Sequence, residues 1–279
     1  MPLSSRVMVS ALAFAAALYG SAAHATTTEF QGRTFRVATN AIYPPMEYHD
    51  PASNDLIGFD IDLGNALAAK LGAKIEWQES SFAQLLPSLA TQRADFIISG
   101  LNDRPERRTT VDFVDYLHSG AQVLVQTSQA RSFPDISSLC GKQVGMSRST
   151  AFPLAIAALS DTLCVKTGKP AIIVVGTEDT AAARSGLKQG RVEAMVQGSE
   201  TVAYTMQQEP TIYQPLGTPF AAKPQGIACR KSDTALRNAL GVALRDLMQD
   251  GSYTRLIEKW HLQTSAANKV TLNDSEALP

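Results

Sequence analysis

The 279-residue sequence has almost no net charge, few cysteines and, beyond its first residues, no long apolar run. Lys and Arg number 25 against 26 Asp and Glu, so the formal net charge is −1. This near balance disfavours nucleic-acid binding, which normally goes with a basic patch. No later segment reaches the roughly 20 apolar residues that a bilayer requires. With 44% hydrophobic residues, the chain can bury a sizeable core.

Catalytic and metal-binding motifs are also missing. The sequence has no G-x-S-x-G, no Walker loop, no H-E-x-x-H and no G-x-G-x-x-G after a strand. Cys and His residues show no zinc-type spacing, so we expect no metal and no cofactor. Asp60 and Asp62 stand two apart at a predicted helix start, where they do not face each other, and N-capping accounts for Asp60. Nothing in these patterns requires an enzyme.

The first 25 residues have the pattern of a secretion signal. Arg6 supplies positive charge, residues 7–18 form an apolar run, and Ala23-His24-Ala25 is a small-x-small cleavage site. The alternative is a membrane anchor, for which the apolar run is short. We therefore expect cleavage after Ala25 and export of a soluble chain.

Export permits disulfides, because oxidising compartments allow them to form. Cys140 precedes a predicted strand, and Cys164 lies between a predicted helix and the next strand. These positions fall at one edge of a strand–helix–strand unit, so a bridge between Cys140 and Cys164 is sterically plausible. Cys229 lies in a strand-like run and is interpreted as a small buried thiol.

Strand and helix patterns alternate along the chain after the signal. Strand–helix–strand series occupy residues 35–99 and 142–197, and two further helices are predicted over residues 234–249 and 252–260. This order predicts an α/β fold with two lobes, each built on a mainly parallel sheet.

Ligands of α/β sheets bind at the carboxyl ends of the strands, where loops of this chain are expected to meet. One of these loops leads to a helix start at Pro105 and Glu106, which places Arg107 in the first turn. A cation there opposes the helix dipole, but an arginine that faces a carboxylate can clamp it with two hydrogen bonds. The alternative is a solvated arginine beside Arg104 and Arg108.

Other loop residues also suit a binding cleft. Ser149 and Thr150 precede a helix with Pro153 in its opening turn, so they are candidate N-caps. Free N–H groups at that helix end can hold the same carboxylate, and simple capping without a ligand is the alternative. Tyr43 and Phe82 either wall a pocket or belong to the ordinary core.

Together these segments resemble the periplasmic solute-binding proteins of polar amino-acid ABC transporters, the bacterial family 3 group. The resemblance implies the type II periplasmic-binding-protein fold, in which two lobes close over one ligand. It is carried by ATNAIYPP at 38–45, GFDIDLG at 58–64, FIISGL at 96–101, PER at 105–107, VDF at 111–113, GRVEA at 190–194, GIA at 226–228 and DGSY at 250–253.

The resemblance also implies two extended crossings between the lobes, near residues 119–121 and 223–225. Residues from about 263 onward carry no periodicity, and we expect them to fray. The predicted divisions are residues 26–119 with 225–265 for lobe 1, 121–223 for lobe 2, and 266–279 for a C-terminal tail.

In such proteins the residue at the position of Arg107 holds the ligand carboxylate, helped by the residue at the position of Thr150. Further ligand contacts are implied by the same resemblance. They are hydrogen bonds from Ser99, Gly100 and Asn102, and aromatic walls from Tyr43 and Phe82.

One position departs from the family pattern. Many relatives have an aspartate after a strand of lobe 2 that pairs with the α-ammonium of the ligand, whereas this chain has Gly198. A buried ammonium without a counter-charge is costly, so either Glu200 reaches in or the ligand lacks a free α-ammonium. Asn40 stands where binders of cationic amino acids often carry an acid, which disfavours a lysine or arginine ligand.

The sequence therefore predicts a monomeric periplasmic component of an ABC transporter. It would capture a small carboxylate-bearing solute, an amino acid or a derivative, and deliver it to the permease. We expect no nucleic-acid partner and no enzymatic activity. The alternatives are an exported cyclohexadienyl or arogenate dehydratase on the same fold, with Glu200 as its acid or base, and a ligand-sensing receptor component.

Overall fold

The computed structural model describes residues 28–277. The predicted secretion signal, residues 1–25, lies outside these described residues. Within them, no helix combines the length and the apolar character needed to span a membrane. The first half forms β1 (Thr34–Thr39), β2 (Ile42–Tyr43), β3 (Glu47–His49), β4 (Leu56–Ile57), α1 (Phe59–Lys70), β5 (Lys74–Glu79), α2 (Leu85–Ala90), β6 (Phe96–Ile97), α3 (Pro105–Arg108) and β7 (Val111–Gln126).

The second half repeats the alternation and ends in two helices and two strands. The helix predicted over residues 234–249 is confirmed, and the one predicted over 252–260 ends one residue earlier. The elements are β8 (Gln143–Ser147), α4 (Phe152–Leu163), β9 (Ile173–Thr177), α5 (Thr180–Lys188), β10 (Ala194–Gly198), α6 (Val202–Gln208), β11 (Tyr213–Arg230), α7 (Thr234–Gln249), α8 (Ser252–Lys259), β12 (Ala266–Leu272) and β13 (Glu276–Ala277).

Parallel strands form the two outer parts of the main sheet, in line with the predicted α/β fold. β1 pairs in parallel with β5 and β6, and β8 pairs in parallel with β9 and β10. Between them, β7 and β11 run antiparallel to each other and to β10 and β6. Because these two long strands pass through both halves, the two predicted sheets are joined in the order β5-β1-β6-β11-β7-β10-β8-β9.

The two largest hydrophobic cores of the molecule lie in different lobes, and the long strands β7 and β11 contribute to both. Val114 of β7 and Ile227 of β11 lie in the first core, which also holds residues of α1, α7 and α8. Val123 of β7 and Leu216 of β11 lie in the second core, with residues of β8 and α4. The molecule is therefore two-lobed, as the type II fold requires. The predicted residue bounds of the lobes stay a prediction.

The expectation that residues from about 263 fray is wrong. β12 pairs with β7 and with β13, and Val270 and Leu272 are buried in the first core. The strand escaped the sequence pattern because its burial does not alternate strictly, and its register against β7 shifts between Ala266 and Thr271.

The predicted disulfide between Cys140 and Cys164 is confirmed. The two Cα atoms are 5.5 Å apart, and the bridge joins the segment before β8 to the end of α4. Cys229 is buried in the first core, where burial raises the pKa of its thiol to about 12. A buried thiol of this kind is unreactive, which agrees with its interpretation as a packing residue.

We expect the double change Cys140→Ser, Cys164→Ser to lower the free energy of unfolding by about 3 kcal/mol, because a bridge across this loop restricts the unfolded chain. Urea unfolding of the oxidised protein and the variant measures the difference. Reduced wild-type protein should match the variant, which itself should not respond to reductant. Equal stability in all three states would contradict the prediction.

Candidate ligand-binding site

A cavity of about 480 Å³, part of it open to solvent, lies between the two lobes. Loops after β1, β8 and β9 contribute to it, at the strand ends where α/β folds bind ligands. It is lined by Asn40, Ile42, Tyr43, Phe82, Gly100 and Asn102 from the first half of the chain, and by Ser147, Thr150, Phe152, Asp179 and Thr180 from the second.

Most residues that the sequence suggested for ligand binding line this cavity, and the others lie beside it. Ser99 is buried, and its hydroxyl donates to Oε1 of Glu47 at 2.6 Å while accepting from the backbone N–H of Asn40 at 3.0 Å. Ser99 therefore holds the loop rather than lining the cavity. The lining residues that were predicted are Asn40, Tyr43, Phe82, Gly100, Asn102 and Thr150, and those beside the cavity are Ser99, Arg107, Gly198 and Glu200.

The loop after β9 was missed. Asp179 and Thr180 line the cavity at the start of α5. The Asp179 carboxylate caps this helix by accepting from the N–H of Ala182 at 2.7 Å. The signal was present in the sequence, because this loop also follows a strand of the second strand–helix–strand series at its carboxyl end.

Arg107 lies in α3, as predicted, and its side chain reaches across the cleft. Nη1 donates to the carbonyl oxygen of Asn102 at 2.8 Å, and Nη2 donates to that of Ser149 at 3.4 Å. The guanidinium carbon is 5.7 Å from the centroid of the Phe82 ring, within the range of a cation–π contact. Burial lowers the pKa of Arg107 to about 10, which shows that the surroundings penalise its charge.

Thr150 stands one residue before the N-cap of α4, which is Ala151. Its Oγ1 accepts from the N–H of Phe152 at 3.2 Å and donates to the carbonyl oxygen of Ser147 at 2.9 Å. Thr150, one of the two candidate caps, therefore satisfies an N–H of the first turn while it lines the cavity.

Glu200 is buried behind Tyr43. Its Oε1 accepts hydrogen bonds from Oη of Tyr43 and from Nε2 of Gln225, both at 2.8 Å. Only 3% of the residue is exposed, and burial raises the pKa of its carboxyl group. Glu200 thus connects a loop of the first lobe to β11 without lining the cavity itself.

One known protein family matches nearly the whole described chain. The model for bacterial extracellular solute-binding proteins, family 3, matches residues 35–263. The chain belongs to this family. The matched span includes both lobes and every residue that lines the cavity of this solute-binding protein.

Individual relatives are similar along most of their length. The lysine/arginine/ornithine-binding periplasmic protein of Escherichia coli is 30% identical over 239 residues, which cover 81% of this chain and 87% of that protein. A solved ancestral arginine-binding protein bound to arginine is 30% identical, with a TM-score of 0.73 over 81% of this chain and 97% of its own. An ancestral amino acid-binding protein, a precursor of cyclohexadienyl dehydratase, is 30% identical, with a TM-score of 0.71 over 81% and 95%.

Asp60 does not cap α1, so the interpretation of this residue from the sequence is wrong. The helix begins at Phe59 after Gly58, and the Asp60 carboxylate turns into the protein. Its Oδ2 accepts from the backbone N–H of Gly100 at 2.7 Å and from Oη of Tyr116 at 2.9 Å. The residue is fully buried. Asp60 therefore supports the cavity-lining Gly100 loop of this solute-binding protein from behind.

The pH dependence of stability should report on Asp60. Burial raises its pKa to about 7, whereas the unfolded chain releases the proton near pH 4. Between about pH 4 and 7 the folded state holds more protons, so the free energy of unfolding falls as pH rises, by up to about 1.4 kcal/mol per pH unit from this group.

Asp60→Asn should remove that contribution, so the variant should gain stability relative to wild type as pH rises through this window. Urea unfolding of both proteins at a series of pH values measures the difference. A difference that does not change with pH would contradict the prediction.

Proposed function

We propose that this protein binds a small solute with a carboxylate group, an amino acid or a derivative of one, in the cavity between its lobes. In this proposal it is the periplasmic binding component of an ABC transporter and delivers the solute to the membrane permease. The observation that carries the proposal is Arg107, a largely buried cation beside the cavity.

The arginines on either side of Arg107 have acidic partners. Arg104 pairs with Glu106, and Arg108 pairs with Asp103. Over residues 28–277, by contrast, no carboxylate lies within salt-bridge distance of Arg107, whose hydrogen bonds go to carbonyl oxygens. Burying a guanidinium without a counter-charge is costly, and a solute carboxylate would supply that charge. The planar guanidinium suits a carboxylate because it offers two parallel N–H donors.

The charges around the cavity favour a zwitterion. Asp179 places a carboxylate among the lining residues, and Arg107 places a cation beside them. The backbone N–H of Gly100 is not free for a ligand, because Asp60 accepts it. Relatives named for binding arginine, lysine and ornithine support an amino acid as the solute class.

Closure of the lobes over the solute follows from the position of the site between them. Arg107 already joins the two halves through the carbonyl group of Ser149. The crossings proposed near residues 119–121 and 223–225 are supported by core membership, because β7 and β11 contribute to both cores, and by the register of their pairing, which shifts on either side of Phe220. Bound solute would contact both lobes and shift the population toward the closed form.

A dehydratase and a sensor are the alternatives to transport. One structural neighbour is a precursor of cyclohexadienyl dehydratase, and Glu200 is the acid that such chemistry would use here. Glu200 lies behind Tyr43 and does not itself line the cavity, which favours binding over catalysis. Turnover of arogenate or prephenate that Glu200→Gln abolishes would establish an enzyme instead. Unchanged solute uptake after deletion of the gene would favour a sensor.

We expect at least one amino acid or related acid to raise the melting temperature of the chain that begins at Thr26. A ligand at 100 times its dissociation constant stabilises the folded state by roughly 2.7 kcal/mol. A thermal-shift panel of the common amino acids and their derivatives measures this effect. A panel without any shift would contradict the proposed function.

Arg107→Ala should weaken binding of that ligand by about 2–5 kcal/mol, because it removes one partner of a buried charge pair. Isothermal titration calorimetry measures the change. Arg93→Ala is the control, because Arg93 is exposed, donates to Oγ1 of Thr91 and does not line the cavity, so its loss should alter affinity little. Equal affinities for wild type and Arg107→Ala, or equal losses in both variants, would rule out the clamp.

A further inference from the structure

The turn that joins β12 to β13, residues 272–275, is here called the C-terminal turn. It lies outside residues 35–263, the span that the family model matches. Asn273 and Asp274 at its centre have φ values of 52° and 62°. Tight hairpin turns need a positive φ at both central positions, which Asn and Asp tolerate better than most residues. The turn is therefore encoded locally, in a segment beyond the family pattern.

Hydrogen bonds fix this turn and the end of β12 to β7. Asn273 bonds twice to the backbone of Phe113, because its Oδ1 accepts from the N–H at 2.9 Å and its own N–H donates to the carbonyl oxygen at 3.2 Å. The N–H of Asp274 and the hydroxyl group of Thr271 both donate to Oδ2 of Asp115, each at 2.9 Å. One oxygen of the buried Asp115 is thus held entirely by the C-terminal segment.

Asp115 is hydrogen-bonded in turn to Asp103. Burial raises the pKa of Asp115 to about 7 and also raises that of Asp103, so a proton is retained between the two carboxyl groups. Oδ1 of Asp115 and Oδ2 of Asp103 are the buried oxygens that have no other hydrogen-bond partner within residues 28–277. A protonated carboxyl group donates to a carboxylate, which joins the two acids into one unit.

Asp103 connects this unit to α3, the helix that carries Arg107. Its Oδ1 accepts from Nε of Arg108 at 2.5 Å. Nη2 of Arg108 also lies 3.5 Å from Oδ2 of Asp274. Arg108 is therefore tied to the C-terminal turn twice, directly through Asp274 and indirectly through Asp103 and Asp115.

α3 needs such support because it is only four residues long. No side chain caps its N-terminus, and a helix shorter than about 12 residues is marginal in water. Its orientation is therefore set by the tertiary contacts of its side chains. Arg107 and Arg108 leave the helix about 100° apart, so fixing Arg108 on Asp103 also sets the direction in which Arg107 points.

We propose that the C-terminal turn positions the carboxylate clamp of the site. It holds Arg108, and Arg108 holds α3 in the orientation from which Arg107 reaches the carbonyl oxygens of Asn102 and Ser149. Arg108 and Asp274 do not line the cavity, so they are positioning residues that act through Arg107. The inference rests on the proposed function, because it names the element that orients the arginine proposed to bind the solute.

The alternative is that the C-terminal segment only stabilises the first lobe. Val270 and Leu272 of β12 are buried in the first core, so loss of the strand would weaken the fold whatever its effect on binding. The test therefore leaves β12 whole and changes only the turn.

The turn variant is the double change Asn273→Gly, Asp274→Gly. Glycine adopts a positive φ freely, so the variant keeps the turn and removes its side-chain contacts with β7 and Arg108. Lys269→Ala is the matched control, because Lys269 is an exposed residue of β12. Isothermal titration calorimetry with L-arginine, L-lysine, L-histidine and L-glutamine gives the affinities, and urea unfolding gives the stability of each variant.

Arg108→Gln changes the other end of the same connection, and it tests the inference even if the turn variant fails to fold. Arg107→Lys separates positioning from general weakening. A guanidinium clamps a carboxylate only when its planar fork is aimed at it, whereas an ammonium on a flexible stem is a point charge. The turn variant is therefore measured in the wild-type background and in the Arg107→Lys background.

We expect the turn variant and Arg108→Gln each to weaken binding of the amino acid that wild type binds best by about fivefold, a size found for residues that act through others. In the Arg107→Lys background the turn variant should change affinity less than about twofold, because an ammonium needs no fixed orientation. Lys269→Ala should bind like wild type.

Unchanged affinity in the turn variant or in Arg108→Gln would overturn the inference and leave the clamp at Arg107 standing. Equal weakening in both backgrounds, or an equal loss in Lys269→Ala, would show a merely structural role and overturn it as well. If wild type binds none of the four amino acids, the inference and the proposed function are overturned together.

Discussion

The pairing of β7 with β11 is the contact on which the rest of the structure depends. Both strands pass from one hydrophobic core to the other, and their backbone hydrogen bonds hold the two lobes in a defined order. Parallel strands extend from this pair on either side, so their carboxyl ends face one cavity. The register shifts around Phe220 interrupt the pairing between the cores, so the least regular part of the two strands lies where the proposed closure of the lobes would require flexibility.

The second constraint is the burial of charged side chains. It affects one cation, Arg107, and three acids. Arg107 has only carbonyl oxygens and an aromatic ring around its guanidinium. Glu47, Asp60 and Glu200 are buried and do not line the cavity, and burial raises the pKa of each carboxyl group. A solute carboxylate beside Arg107 would complement its charge, because it would replace water that the guanidinium has lost.

Local sequence patterns were sufficient for the features that depend on neighbouring residues. The apolar spacing of α7, the proline-led turn that carries Arg107 and the strand–helix–strand setting of the disulfide were all predicted correctly. The errors concern partners that are distant in the sequence. Asp60 has the right residue type and position for a cap, but its hydrogen-bond donor is the N–H of Gly100, 40 residues away. β12 is a strand because β7 pairs with it, and no periodicity in residues 263–279 signals that partner.

By itself, the sequence determined the family, the alternation of strands and helices, and the presence of an arginine where a carboxylate clamp is expected. These follow from residue identity and short-range spacing, which determine backbone preference and chemical type. Only the tertiary structure decided which groups occupy the space beside the glycine at position 198. Tyr43 and Glu200 are 157 residues apart and come within 2.8 Å of each other, in the space that a side chain on Gly198 would need. Whether a buried charge is satisfied depends on distances between atoms of different lobes, and spacing along the chain does not encode those distances.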